Sequence, residues 1–140
     1  MTLKNLLLIY LLFLKNVRYY RDTHYEVVIM LLWMKLKNLA LVDEAEIDFS
    51  PGYNVISGET GAGKSVIMGG LAMLLGARAD KSAIRVGTDK CEITASFQLP
   101  SYAFERVVAV LTNAGIEMEG DTLLIRRVIS SSSTKNYIKG

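Results

Sequence analysis

Gly58-Glu59-Thr60-Gly61-Ala62-Gly63-Lys64-Ser65 sets a glycine, four residues and then glycine-lysine-serine in one octapeptide. That spacing is suited to cradling the phosphates of a nucleotide. Glycine at 58, 61 and 63 opens backbone angles that a Cβ closes, so consecutive N–H groups can turn inward on an anion. A helix starting at the loop adds its partial positive charge, and the Lys64 ammonium is placed against the outer phosphates. The Ser65 hydroxyl is the expected ligand of a Mg²⁺ ion. Charge-assisted hydrogen bonds contribute about 1.5–3 kcal/mol each, so a handful matches the ~8 kcal/mol of micromolar binding. The competing reading is a glycine-rich strand-to-helix turn carrying a chance Lys-Ser, and the flanks weigh against it.

Those flanks must position the loop. Tyr53-Asn54-Val55-Ile56-Ser57 reads as a short strand entering it, and Val66 to Leu75 as a helix leaving it, the order that such a loop requires. The helix is apolar on nearly all sides (Val66, Ile67, Met68, Leu71, Met73, Leu74, Leu75), which predicts burial. Gly69-Gly70 costs it about 1 kcal/mol per residue relative to alanine, and close backbone packing would account for the pair. Gly76 is placed to end the helix.

Upstream, Met34 to Leu41 and the segment Glu44 to Phe49 alternate as two strands, with Ser50-Pro51-Gly52 as a turn into the loop strand. Glu44, Glu46 and Asp48 are read as a solvated strand face and not as a metal or acid–base cluster. Downstream, Ala77 to Asp89 is mainly loop. Cys91, Ile93, Ala95, Phe97 and Leu99 alternate with polar residues as the cleanest strand in the chain. Cys91 falls on its apolar side, as a small core residue. Pro100 stops that strand, and Ser101 is the expected cap of a helix from Tyr102 to Asn113, with Val107, Val110 and Leu111 on one face and Gly115 at its end. Thr122 to Ile129 is another strand, Ser130 to Thr134 a polar turn, and Asn136-Tyr137-Ile138 the start of a last strand.

Apolar residues make up 51% of the 140, and the excess lies largely in residues 1–33. The net charge of +2 also sits there, in Lys4, Lys15, Arg18 and Arg21 against Asp22 and Glu26. The remainder is therefore neutral, without the basic footprint of a surface that binds phosphate backbones. The apolar runs Leu6 to Leu14 and Val27 to Met34 fall short of the ~20 residues that span a bilayer as a helix. Residues 1–33 are thus an extension outside the domain, which starts at Met34 and runs to Gly140. They admit three readings: a translated upstream segment without function, a membrane-touching helix, or a poor export signal. Cys91 is the only cysteine, so an intrachain disulfide is excluded and a reducing cytoplasm fits. His24 is alone, so no cluster has metal-ligand spacing.

Met34-Lys-Leu-Lys-Asn-Leu-Ala-Leu-Val-Asp-Glu44, the Gly58–Ser65 loop and Leu75-Gly-Ala-Arg-Ala-Asp80 together resemble the start of the RecN family. These are bacterial double-strand-break repair ATPases related to the structural-maintenance-of-chromosomes (SMC) proteins. Ile84-Arg-Val-Gly87, Leu124-Ile-Arg-Arg127 and Asn136-Tyr-Ile-Lys139 continue the likeness in order, while Ser131-Ser132-Ser133 replaces a glycine-containing turn. The resemblance implies an α/β fold: the N-terminal lobe of a P-loop NTPase head of the ABC/SMC type, with a mixed sheet around the loop and its helix. It implies ATP and Mg²⁺ as ligands, a head–head dimer, a coiled coil and second half-head elsewhere in the protein, DNA bound through the whole protein, and a cytoplasmic, nucleoid-associated setting rather than a membrane.

Carried over by residue, Lys64 and the loop amides hold the β- and γ-phosphates and stabilise transferred charge. Ser65 ligates Mg²⁺. Arg85 occupies the region where related heads place an arginine near the phosphates, against the plainer reading of a surface or salt-bridged arginine. Arg126, Arg127, Lys135 and Lys139 are read first as a solvated strand edge, with approach to DNA second. The acidic strand-end motif, signature loop and glutamine loop of such heads have no counterpart in this stretch, and Gln98 is not that glutamine. Weak Mg-ATP binding with negligible turnover is the expectation. The alternatives are a piece of a transporter ATPase subunit, or an inactive truncated product.

Overall fold

The computed structural model describes residues 29–57 and 61–139, so expectations for residues 1–28, for Gly58, Glu59 and Thr60, and for Gly140 lie outside the described residues. Among the described residues, five strands and two α-helices follow one another: β1 (Met30–Leu39), β2 (Val42–Asp48), α1 (Gly61–Leu74), β3 (Lys90–Gln98), α2 (Ser101–Asn113), β4 (Thr122–Ser130) and β5 (Thr134–Lys139). The sheet order is β2-β1-β3-β4-β5, and every described pairing is antiparallel.

Period-two alternation decides what each face of this sheet meets. Met34, Ala95, Ile125 and Ile138 form one cross-strand row, and Leu36, Ile93, Arg127 and Asn136 the next. The apolar members of these rows, with Cys91, Phe97, Leu123 and Ile129, build the core, into which Leu74 of α1 and Val107 and Leu111 of α2 also pack. The intervening rows carry Lys35, Thr94, Arg126 and Tyr137 on the polar side. Cys91 is buried as expected, and burial pushes its thiol pKa up.

Pairing begins earlier than Met34. Met30 faces Gln98 and Leu31 faces Phe97, so the expected domain boundary falls inside β1. Tyr53 to Ser57, expected as a strand, form none. A strand needs a ladder neighbour, and no described strand offers one; Tyr53 is 92% and Val55 69% exposed. Ser101 is the first residue of α2 and not its cap. Pro100 holds that position without a side-chain cap, its carbonyl accepting from the N–H groups of Ala103 and Phe104 at 2.9 and 3.1 Å. At the β4–β5 turn a serine does a glycine's work. The Ser130 hydroxyl donates to the Ser133 carbonyl and accepts from the Ser133 N–H, both at 3.1 Å.

Helix α1 is covered on one side. Gly70 and Leu74 are buried, but Met68 is 60% exposed, so the all-round burial expected from composition is absent. A sheet face can cover only the helix stripe turned toward it. Gly70 marks the closest approach: a Cβ there would lie 3.1 Å from side-chain ends of Leu36, Leu39 and Met34, whereas one on Gly69 would meet nothing within 4 Å. Gly76, at φ +113°, closes the helix. Its N–H donates to Met73 O and that of Ala77 to Ala72 O, the paired bonds of a Schellman stop. Among the described residues no helix is long and apolar enough to cross a membrane.

Candidate phosphate-binding site

Helix α1 starts inside the glycine-rich motif, at Gly61 and not at Val66, so Gly61, Ala62, Gly63 and Lys64 are its first turn and Ser65 follows. The first turn of a helix leaves N–H groups without intrahelical partners and carries partial positive charge. That turn holds no acidic residue, so no carboxylate of its own meets the positive end. Lys64 is half-buried and Ser65 exposed.

Gly63 does not supply the unusual backbone angle expected of it. Gly63 is helical and is not among the left-handed glycines, so its φ is one that any residue can adopt. A Cβ there would meet nothing within 4 Å. What the missing side chain provides is a bare helix end, open to close approach.

The chain enters this site through a clamped turn. Asn54 accepts from the Ser50 N–H at 3.0 Å and donates to the Ser50 carbonyl at 2.8 Å, closing the loop over Gly52, which has φ +91°. The opposite end of α1 is held by a residue that sequence reasoning misassigned. Arg127 is not on a solvated edge: it is 5% exposed, on a central strand, and so is unavailable to DNA. Its Nη1 donates to the carbonyls of Met73 and of Ala77, the latter at 2.9 Å. Burial pushes its pKa down. The signal was present in the alternation Leu123, Ile125, Arg127, Ile129.

Arg85 is committed elsewhere. Its Nη1 donates to the Leu41 carbonyl at 2.7 Å and its N–H to the Asn38 carbonyl at 2.9 Å, while the Ala40 N–H donates to Ala83 O at 2.7 Å. These bonds staple the β1–β2 turn, where Asn38 and Ala40 hold left-handed angles of 52° and 50°.

The remaining candidates belong to the polar sheet face and its edges. Arg126 grips Glu92 through Nε and Nη2, both at 2.7 Å, and its guanidinium lies 5.4 Å from the Tyr137 ring centre. Lys135 and Lys139 are exposed on β5. Lys35 meets Glu44 at 2.7 Å and Glu46 at 3.6 Å, so the acidic strand is a solvated, ion-paired face. Among the described residues no acidic, histidine or cysteine group is arranged to hold a metal. Gln98 donates to Asp121 at 3.1 Å.

Comparison with known proteins adds three findings. The family model described as AAA domain matches residues 34–139. The DNA repair protein RecN of Xylella fastidiosa (strain Temecula1) is 41% identical over 100 residues, which are 71% of this chain and 17% of that protein. Its counterpart in Bacillus subtilis (strain 168) is 36% identical over 103 residues, 74% of this chain and 18% of that one. The chain therefore spans less than a fifth of the length of these relatives, and the likeness fits the N-terminal part of RecN. A structure solved in work on ATP-driven dimerisation and DNA-stimulated activation of SMC ATPases superposes with a TM-score of 0.61 at 20% identity, covering 79% of this chain and 69% of that one. The fold is that of a P-loop NTPase head lobe of the SMC type, and the relatives favour the repair family over a transporter subunit.

Proposed function

The chain belongs to the AAA domain family, and we propose that it supplies the N-terminal ATP-binding lobe of a RecN-like DNA-repair ATPase. The observation that carries this reading is the acid-free first turn of α1, open at Gly63, with Lys64 and Ser65 at the head of a helix seated on the sheet. In it, the amides from Gly58 through Gly63, including those of Glu59, Thr60, Gly61 and Ala62, wrap the β- and γ-phosphates of ATP. Lys64 neutralises their outer charge, and Ser65 offers its hydroxyl to Mg²⁺. When bound, the metal would supply neutralisation of phosphate charge. This donor set suits it, because an aliphatic hydroxyl beside phosphate oxygens is a hard, oxygen-only environment.

Hydrolysis in the whole protein would draw on an acidic strand end and on a signature loop from a second head, coupled to DNA through a coiled coil. This chain contributes the phosphate grip. The parent acts in the cytoplasm, on the nucleoid.

Isothermal titration with Mg-ATP tests the reading. The folded chain should saturate with micromolar to millimolar affinity, and Lys64→Ala should weaken binding about tenfold or more, a loss of ~1.4 kcal/mol per factor of ten. Turnover by the chain alone should be negligible. A folded wild type with no saturable heat, or a Lys64→Ala variant that binds equally well, would overturn it.

A further inference from the structure

Arg127 is the buried charge that a phosphate grip alone does not use. It stands on the core face between Ile125 and Ile129, where an aliphatic side chain would fit and would avoid the desolvation that a guanidinium suffers. The recorded ion pairs among the described residues belong to Lys35 and Arg126, so no carboxylate offsets the charge of Arg127. What it meets is the C-terminal end of α1, where the helix carries partial negative charge and exposes its last carbonyls. Resting on the nucleotide reading, we propose that Arg127 is a positioning residue for Lys64 and Ser65 at the head of α1. By fastening the end of α1 to β4, it fixes how far Lys64 and Ser65 project at the other end.

Two further anchors of the helix differ in kind. The Gly70 seat and the buried Leu74 are apolar contacts. They resist separation of helix from sheet but only weakly resist sliding along the axis, because dispersion and burial are not directional. Hydrogen bonds to two carbonyls are directional, and they set the axial position. Met73 is nine residues from Lys64, roughly 13 Å of helix at the standard rise. A rod that shifts at one end shifts equally at the other.

A second observation argues against a merely stabilising role. Arg127 Nε and Asn136 Oδ1, on residues facing each other across β4 and β5, are both buried without a hydrogen-bond partner. A side chain kept for stability alone does not ordinarily leave a buried donor unpaired. The guanidinium sits where the helix end needs it, at the expense of its own saturation.

The test uses the full chain as wild type, Arg127→Met, Arg127→Lys and Val107→Ala, the last removing core volume under α2 while leaving the Arg127 hydrogen bonds to Met73 and Ala77 in place. Two readouts are taken well below each unfolding temperature: Mg-ATP affinity, from a fluorescent ATP analogue, and hydrogen exchange of the α1 amides without nucleotide. Arg127→Met should bind about tenfold more weakly, Arg127→Lys should recover part of the loss through a single ammonium, and Val107→Ala should bind as wild type despite lower stability. Exchange in Arg127→Met should rise at Val66 to Met68 as well as in the last turn. Unchanged affinity in folded Arg127→Met, or faster exchange confined to Leu74–Ala77, would reduce Arg127 to a local cap and overturn the proposal. If Arg127→Met does not fold, Arg127→Lys decides on the same two readouts. If the wild type binds no Mg-ATP, the nucleotide reading falls, and the exchange pattern still decides whether Arg127 sets the helix.

Discussion

Replacing Gly70 by alanine sets two effects of opposite sign against each other. Alanine favours a helix interior over glycine by about 1 kcal/mol. At position 70 its Cβ would lie 3.1 Å from Leu36 Cδ2, Leu39 Cδ2 and Met34 Cε together. One flexible side-chain end can retreat by a few tenths of an ångström. Three that converge on one point from residues 0–1% exposed have nowhere to retreat. Overpacking of that kind costs about 1–3 kcal/mol, so Gly70→Ala should be neutral to about 2 kcal/mol destabilising after the helix gain. Gly69→Ala carries the helix gain alone, because nothing lies within 4 Å of its Cβ, and it should stabilise by about 1 kcal/mol. The neighbouring variants should therefore differ in unfolding temperature by roughly 4–12 °C, measured by thermal melts at 222 nm with urea titrations as a check on slope. Equal stabilisation by both substitutions would refute the close seat of α1 on β1.

Arg85→Ala removes a 2.7 Å bond to the Leu41 carbonyl at an exposed site and should cost about 0.5–1 kcal/mol. Ala40→Gly, which relieves a left-handed angle of 50°, should stabilise by about 1 kcal/mol; urea titrations read both, and a stabilising Arg85→Ala would show that the staple is absent. The Lys35 hydrogen bond, then its charge, holds the Glu44 pKa below its ordinary value near 4.5. The folded carboxyl being the stronger acid, its contribution is present above that value and fades as pH falls through the lower folded one. Between pH 5 and 3 the urea midpoint should accordingly fall less for Glu44→Gln than for wild type, and parallel slopes would contradict the pairing. Lys35, raised chiefly by its hydrogen bond to Glu44, contributes below its unfolded pKa and loses that contribution as pH climbs through the folded value.

Several elements were legible because local chemistry and tertiary setting agree. The alternation from Cys91 to Leu99 became β3 because only one sheet face is buried, and Gly76 and Gly115 became helix stops through the same paired bonds. The loop motif named its own helix end. Where legibility failed, the missing information was a neighbour. Tyr53 to Ser57 have strand-like residues, but a strand is a relation between segments, and no described segment pairs with them. Met30 to Trp33 lay in an apolar run whose length and composition suit helix and strand equally; only pairing with β3 settles it. Arg127 shows a rule applied in the wrong order. Its charge suggested solvent, yet the two-residue period put it inside, and the carbonyls at the end of α1 explain how a guanidinium lives there. Gly63 shows a motif whose residue is right for another reason: a bare surface and not an unusual angle.

The most direct test of the central claim is where the amide signals move when Mg-ATP is added to the isotopically labelled chain. A grip by the head of α1 predicts that the largest shifts fall on residues 58–66, that they saturate, and that Lys64→Ala suppresses them while the β5 signals stay in place. Saturable shifts centred on the polar sheet face or on β5, with residues 58–66 unmoved, would contradict it.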